Sequence, residues 1–157
     1  MSNAKYAEIL EQSSVPKKVW KTALYLRLSR DDGTESESNS IASQREILKE
    51  YIKRYPDMEI YDIYVDDGYS GTNFDRPDFN RMMDDIYAHK VNCVLVKDLS
   101  RFSRNHTEGG IYLDKIFVKL GVRFIAINNQ IDIGIRGINS FNDLVKVGVT
   151  NIMNESL

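Results

Sequence analysis

The chemistry this sequence offers rests on one serine and five arginines set at recurring breaks in the chain. The first break reads Leu24-Tyr25-Leu26-Arg27-Leu28-Ser29-Arg30. In a strand, side chains alternate, so Tyr25, Arg27 and Ser29 share one face and Leu24, Leu26 and Leu28 the other. Arg27 and Ser29 then stand about 6–7 Å apart along the strand. An arginine on a covered strand is costly unless it meets an anion. Ser43-Gln44-Arg45 follows in the first turns of a helix, where anions are attracted. Asp66-Asp67-Gly68-Tyr69-Ser70-Gly71-Thr72 joins two carboxylates to a permissive glycine turn, and Asp75-Arg76-Pro77 opens the next helix. In Lys97-Asp98-Leu99-Ser100-Arg101-Phe102-Ser103-Arg104-Asn105, the arginines are three apart and share one face if the stretch is a helical turn. Guanidinium forks match phosphate oxygens two at a time. Arg27, Arg45, Arg76, Arg101 and Arg104 with a serine among them therefore suit a phosphodiester.

These residues need a scaffold, and the hydrophobic pattern supplies one. Thr22–Leu28 reads as a strand, Ile41–Tyr55 as a helix capped by Asn39 or Ser40, and Glu59–Val65 as a second strand. Pro77–Ala88 reads as a helix with proline in its first turn, its apolar face Phe79, Met82, Met83 and Ile86. Val91–Lys97 is a third strand. Glu108–Leu120 is a helix with Thr107 as cap and Gly121 as stop, followed by strand Val122–Ile127 and a short edge strand at Gln130–Ile133. Alternating strands and helices imply an α/β fold: a mostly parallel sheet of four or five strands with helices on both faces. In such sheets, sites lie beyond the carboxyl ends of the strands, where the arginines fall. Asp31–Asn39 is an acidic loop. A last helix begins after Ser140, and Phe141, Leu144, Val145, Val149, Ile152 and Met153 give it an apolar stripe.

Composition narrows the class. A length of 157 residues fits one domain. Hydrophobic residues at 42% and charged residues at 28% exclude wholesale disorder. A lone Cys93 excludes an internal disulfide and a cysteine-rich zinc site; within its strand it reads as a small buried hydrophobe. His89 and His106 read as surface residues, His106 close enough to Arg104 to touch a substrate. No metal site and no cofactor is expected. No apolar run is long enough for a membrane span, and no signal peptide is visible, which points to the cytoplasm. The net charge of −2 argues against a nucleic-acid binder unless the basic charge is local or a DNA-binding part lies outside the chain. Acyl-transfer constellations, Walker loops and Gly-x-Gly-x-x-Gly turns are missing.

At Tyr25-x-Arg27-x-Ser29, Ser43-Gln44-Arg45, Asp67-Gly68-Tyr69-Ser70-Gly71, Asp75-Arg76-Pro77, Asp98 to Asn105 and Gly121-Val122-Arg123-Phe124-Ile125, the sequence resembles the catalytic domain of serine recombinases, the resolvase and invertase family. It is most similar to the large serine recombinase and transposase branch. The pieces occur in family order across residues 22–155. The resemblance implies a resolvase-like three-layer domain in which Ser29 is the nucleophile and Arg27, Arg76, Arg101 and Arg104 are catalytic. It places Tyr25, Ser43, Gln44, Arg45, Asp67 and Ser100 at the substrate. Small resolvases carry an aspartate where this chain has Ser100, a departure that leaves that aspartate's role open.

The resemblance further implies cleavage and rejoining of double-stranded DNA through a 5′-phosphoserine, without metal, by a protein that dimerises and forms a tetramer on DNA. Residues 1–20 are expected to be a vector-derived Met-Ser-Asn-Ala and an N-terminal arm, 21–140 the catalytic domain, and 141–157 the start of an oligomerisation helix that continues, with DNA-binding modules, beyond Leu157. As a fragment the chain is expected to be inactive. Two rivals stand beside this. Asp66, Asp67 and Asp98 would make a Mg²⁺ site of a receiver-like phosphoacceptor domain. Alternatively, the arginines only grip phosphate in a non-catalytic DNA-docking module.

Overall fold

A computed structural model describes residues 18–30 and 39–134. Within them the order is β1 (Trp20–Leu28), α1 (Ile41–Lys53), β2 (Met58–Asp67), α2 (Pro77–Tyr87), β3 (Cys93–Val96), α3 (Leu99–Phe102), α4 (His106–Ile111), a π-helical turn (Tyr112–Ile116), α5 (Phe117–Leu120), β4 (Arg123–Ala126) and β5 (Ile131–Ile133). The N-terminal arm, the acidic stretch 31–38 and the helix expected after Ser140 lie outside the described residues.

The sheet runs β2-β1-β3-β4-β5. Neighbours pair in parallel except β4 with β5, which are antiparallel. Alternation along the strands divides the core into two layers. Leu24, Leu26, Cys93, Leu95 and Ile125 face Leu48 and Ile52 of α1. Ala23, Tyr25, Tyr64, Val94, Val96 and Phe124 face the other way, toward Phe79, Met82 and Ile86 of α2 and Leu113 and Phe117 further on. Phe74, Phe79, Phe102 and Tyr112 stack edge-on or tilted at centroid distances of 4.5–6.2 Å, so α3 is fixed by its aromatic underside. Removing the fully buried Phe79 ring would cost about 3–5 kcal/mol.

The strand order reverses direction at β1/β3. In open parallel sheets that switch leaves a crevice at the strand ends, and Arg27 on β1 and the turn after β3 both reach it. At the far edge, Arg123 grips Asp132 through two bonds of 2.9 and 2.7 Å, tying β4 to β5. At the near edge, Asp78 accepts the Val65 N–H of β2 at 2.7 Å, and Arg81 bridges to Asp62 at 2.6 Å while donating to the Ile63 carbonyl.

Several element ends differ from the sequence pattern. Strands β1 and β2 begin earlier, at Trp20 and Met58, because backbone pairing carries them through residues with no alternating pattern. Helix α4 starts at His106, not Glu108, since Asn105 and not Thr107 is the cap: its side chain accepts the Glu108 N–H at 3.1 Å. Ser40 caps α1. Gly121 ends α5 in the left-handed region at φ 70°, the position expected of a stop residue. His106 is half-buried, whereas His89 is exposed as expected. Cys93 is buried, and burial pushes its thiol up to about 12.

Candidate active site

Arg27 sits two residues before the serine, on the last turn of pleat of β1. It is fully buried. Its Nε donates to the Arg101 carbonyl at 3.1 Å, Nη1 to the Tyr69 carbonyl at 2.9 Å and Nη2 to the Ser100 carbonyl at 2.6 Å. An arginine on a covered strand thus meets main-chain dipoles as well as any anion beyond them. Gly71 makes this possible. A Cβ there would lie 2.6 Å from Arg27 Nη2, and the Gly71 carbonyl accepts the Arg104 N–H at 2.7 Å.

Arg76 is the second fully buried arginine. Its Nε donates to the Asn73 carbonyl at 2.9 Å, Nη1 to the Tyr25 hydroxyl at 2.9 Å and to the Arg101 carbonyl at 3.3 Å, and Nη2 to the Phe102 carbonyl at 2.6 Å. The Tyr25 hydroxyl in turn donates to Asp66 at 2.7 Å. Burial raises the Tyr25 phenol well above its ordinary range. The Asp66 carboxylate also accepts the N–H groups of Asp78 and Phe79, both at 2.9 Å. Those are orphan donors of α2, whose own cap residue, Arg76, gives no side-chain bond. One carboxylate on β2 therefore caps a helix and anchors the arginine that precedes it.

The carbonyls of Ser100, Arg101 and Phe102 all point into these two guanidiniums, and this fixes the turn that carries Arg101. Arg101 is buried and donates through Nη1 to the Arg27 carbonyl at 2.9 Å. Arg104 is partly exposed, its Cγ beside the Gly71 backbone. Burial, then the charges of Arg101, Arg76 and Arg104, push the Arg27 guanidinium down to about 9. Four guanidiniums thus act on one another at the end of β1. Ser29, directly after the strand, is 7% exposed.

The other expected site residues divide. Gln44 is fully buried; its amide donates to the carbonyls of Arg27 at 3.0 Å and Asn39 at 2.9 Å, and its oxygen faces the Arg27 N–H at 3.3 Å. It holds both ends of the segment containing Ser29, so it serves the backbone and is shut off from a ligand. Tyr25, likewise fully buried, touches Arg76 and Asp66. Ser43 and Arg45 are partly exposed on α1, and the Ser43 N–H is taken by the Ser40 cap at 3.1 Å. Ser100 is buried beside Arg101. Asp67 is exposed, while its neighbour Asp66 is the inward carboxylate. The same alternation that put Arg27 inward applies to β2, where Tyr64 and Asp66 share the covered side, so that signal was present in the sequence. Gly71, Lys97 and Asn39 carried no such signal. Lys97 is buried and donates to Asn39 Oδ1 at 2.7 Å. Among the described residues no group of three or more His, Cys, Asp or Glu side chains is placed to hold a metal ion, and Asp66, Asp67 and Asp98 do not converge. No described helix is long and apolar enough to cross a membrane.

Comparison with known proteins gives the family and the fold. The family model described as Resolvase, N terminal domain, matches residues 22–145. No curated protein sequence matches. Among solved structures, the chain is similar to the N-terminal catalytic domain of TP901-1 integrase, with 29% identity and a TM-score of 0.68 over 86% of this chain and 94% of that one. It is also similar to a resolvase family site-specific recombinase from Streptococcus pneumoniae, with 34% identity and a TM-score of 0.63 over 87% and 89%. The C-terminal catalytic domain of ISC1926 TnpA, an IS607-like serine recombinase, shares the fold at 19% identity and a TM-score of 0.56 over 84% and 79%.

Proposed function

Since this chain belongs to the resolvase family of serine recombinases, we propose that it cleaves and rejoins double-stranded DNA at specific sites, with Ser29 as the nucleophile. The observation that carries this reading is the convergence of Arg27, Arg76, Arg101 and Arg104 at the end of the strand that delivers Ser29.

Ser29 Oγ attacks the phosphorus of a DNA phosphodiester in line, and the bond to the 3′ oxygen breaks. A 5′-phosphoserine ester forms and the 3′ oxygen leaves as a hydroxyl. The serine proton passes, by way of a phosphate oxygen or solvent, to the departing 3′ oxygen, so one proton is lost and one gained. The reverse attack by a 3′ hydroxyl of an exchanged strand restores the phosphodiester, and since one ester replaces another, no ATP is required. Phosphoryl transfer depends on positioning and charge neutralisation. Arg104, partly exposed, and the buried Arg101 three residues before it are the phosphate ligands. Arg27 and Arg76 hold the turn that carries them and add positive potential from behind. A phosphate entering the cluster relieves the mutual repulsion of the guanidiniums, so the charge a metal supplies elsewhere comes here from side chains. Ser43 and Arg45, partly exposed on α1, line the approach of the DNA. The partners are double-stranded DNA and further copies of the protein, as a dimer and as a tetramer on DNA, in the cytoplasm.

The test uses the natural full-length protein on a nicked suicide substrate carrying its recombination site. The wild type is expected to accumulate a covalent protein–DNA adduct, in EDTA as well as in Mg²⁺. Ser29→Ala is expected to bind the DNA and form none. Adduct formed by Ser29→Ala overturns the nucleophile; loss of adduct in EDTA that Mg²⁺ restores overturns the metal-free step. Binding with no adduct from the wild type leaves a DNA-docking module.

A further inference from the structure

The turn after β3 holds a carboxylate that the mechanism above does not use. Asp98 caps α3 by accepting the Ser100 N–H at 3.0 Å. The same Oδ1 also accepts the Ser100 hydroxyl and lies 3.6 Å from Arg101 Nε, an ion pair. One carboxylate oxygen thus serves a backbone group, a hydroxyl and a guanidinium. The Arg101 side chain is 5% exposed and that of Asp98 20%, so the pair is largely shielded from water, and shielding strengthens it. On the other side, Asp98 acts on the buried ammonium of Lys97, which burial pushes down and the Asp98 charge pushes back up. Arg101 is held from two directions: Nη1 hydrogen-bonds the Arg27 carbonyl at 2.9 Å, and the Asp98 carboxylate attracts the Nε side as an ion pair at 3.6 Å, longer than a hydrogen bond. The hydrogen bond sets one edge of the guanidinium and the carboxylate charge draws the Nε side toward α3, which together bias the direction in which the remaining edge faces a phosphate.

We propose that Asp98, working together with the Ser100 hydroxyl, is the positioning carboxylate of this active site and orients Arg101 toward the scissile phosphate. The inference rests on the recombinase reading. It accounts for Ser100: a carboxylate directly before Arg101 is unnecessary when Asp98, three residues before it, supplies one and the Ser100 hydroxyl donates to that carboxylate. The competing role is plain helix capping, and the two are separable. Asparagine caps a helix about as well as aspartate but carries no charge.

The experiment measures adduct formation on the suicide substrate, DNA affinity and Tm for the full-length wild type, Asp98→Asn, and Asp98→Asn combined with Ser100→Asp. Asp98→Asn is expected to slow adduct formation by at least about tenfold, as misaligned catalytic groups do, with DNA affinity unchanged and some loss of Tm from the broken ion pair. Adding Ser100→Asp is expected to recover most of the rate, because it returns a carboxylate to the Arg101 side while the asparagine cap stays as it was. A wild-type rate in Asp98→Asn overturns the proposal, and so does a slow Asp98→Asn that Ser100→Asp fails to rescue. A wild type that forms no adduct overturns the recombinase reading and this inference with it, an outcome distinct from both.

Discussion

Burying two arginines completely is tolerable in this domain because each finds main-chain carbonyls on the same turn, from Ser100 to Phe102. The arrangement leaves no room at Gly71. A Cβ placed 2.6 Å from Arg27 Nη2 and 2.9 Å from Cζ would push the guanidinium off the Tyr69 and Ser100 carbonyls. Gly71→Ala is therefore expected to destabilise the domain by about 1–3 kcal/mol, as overpacking does, and to slow adduct formation; thermal melts and the suicide-substrate assay measure both. Phenols give a second handle. Burial, with hydrogen bonds to Asp66 and Asp85, raises Tyr25 and Tyr64 above the ordinary value of 10.0. The unfolded chain releases these protons near that pH while the native one keeps them. Each group thus contributes stability that is complete below pH 10 and is lost as pH rises past it. In an alkaline absorbance titration, Tyr25 and Tyr64 should ionise only as the fold is lost. Arg27 was legible in the sequence because strand alternation put it beside Ser29. The choice of Asp66 over Asp67 was missed because the pattern of β2 was read as ending at Val65, two residues short of where its pairing with β1 ends.

Between elements, Gln44 is the stitch. From α1 it closes onto both the N–H and the carbonyl of Arg27, and onto the Asn39 carbonyl. A leucine there matches the shape but leaves buried peptide groups unpaired, at about 1–3 kcal/mol. Gln44→Leu is expected to lower Tm accordingly and to slow adduct formation more than it weakens DNA binding, since the buried amide touches no ligand. Asp66 plays the corresponding part between β2 and α2. Such bridges depend on which strands end side by side, and hydrophobic spacing says nothing of that. The same holds for the π-helical turn at Tyr112–Ile116, which brings Tyr112 against Phe74, Phe79 and Phe102. Its register follows from packing on a surface 30 residues and more away in sequence in the case of Phe74 and Phe79. The strands themselves, and the helix faces of Phe79, Met82, Met83 and Ile86, were plain from periodicity.

At the scale of the molecule, the order β2-β1-β3-β4-β5 sets the cluster at the point where the sheet reverses direction. The overall charge of −2 concealed it, because a small basic focus vanishes in a sum over the whole chain. That focus should register simple anions. Inorganic phosphate, at constant ionic strength, is expected to raise the Tm of the domain, by about 1.4 kcal/mol of stability at tenfold its Kd. Arg101→Ala is expected to shrink that gain; an equal shift in the variant would place the anion elsewhere. The rim of the sheet bears on assembly in another way. Asp78 already occupies the Val65 N–H, and the Arg81 fork lies across Asp62 and Ile63, so a second copy cannot zip its backbone onto this border without evicting both. On that flank, contact with another chain is limited to side chains. Side-chain contacts are reversible, whereas a growing cross-strand ladder welds chains together, and this border is closed to that outcome.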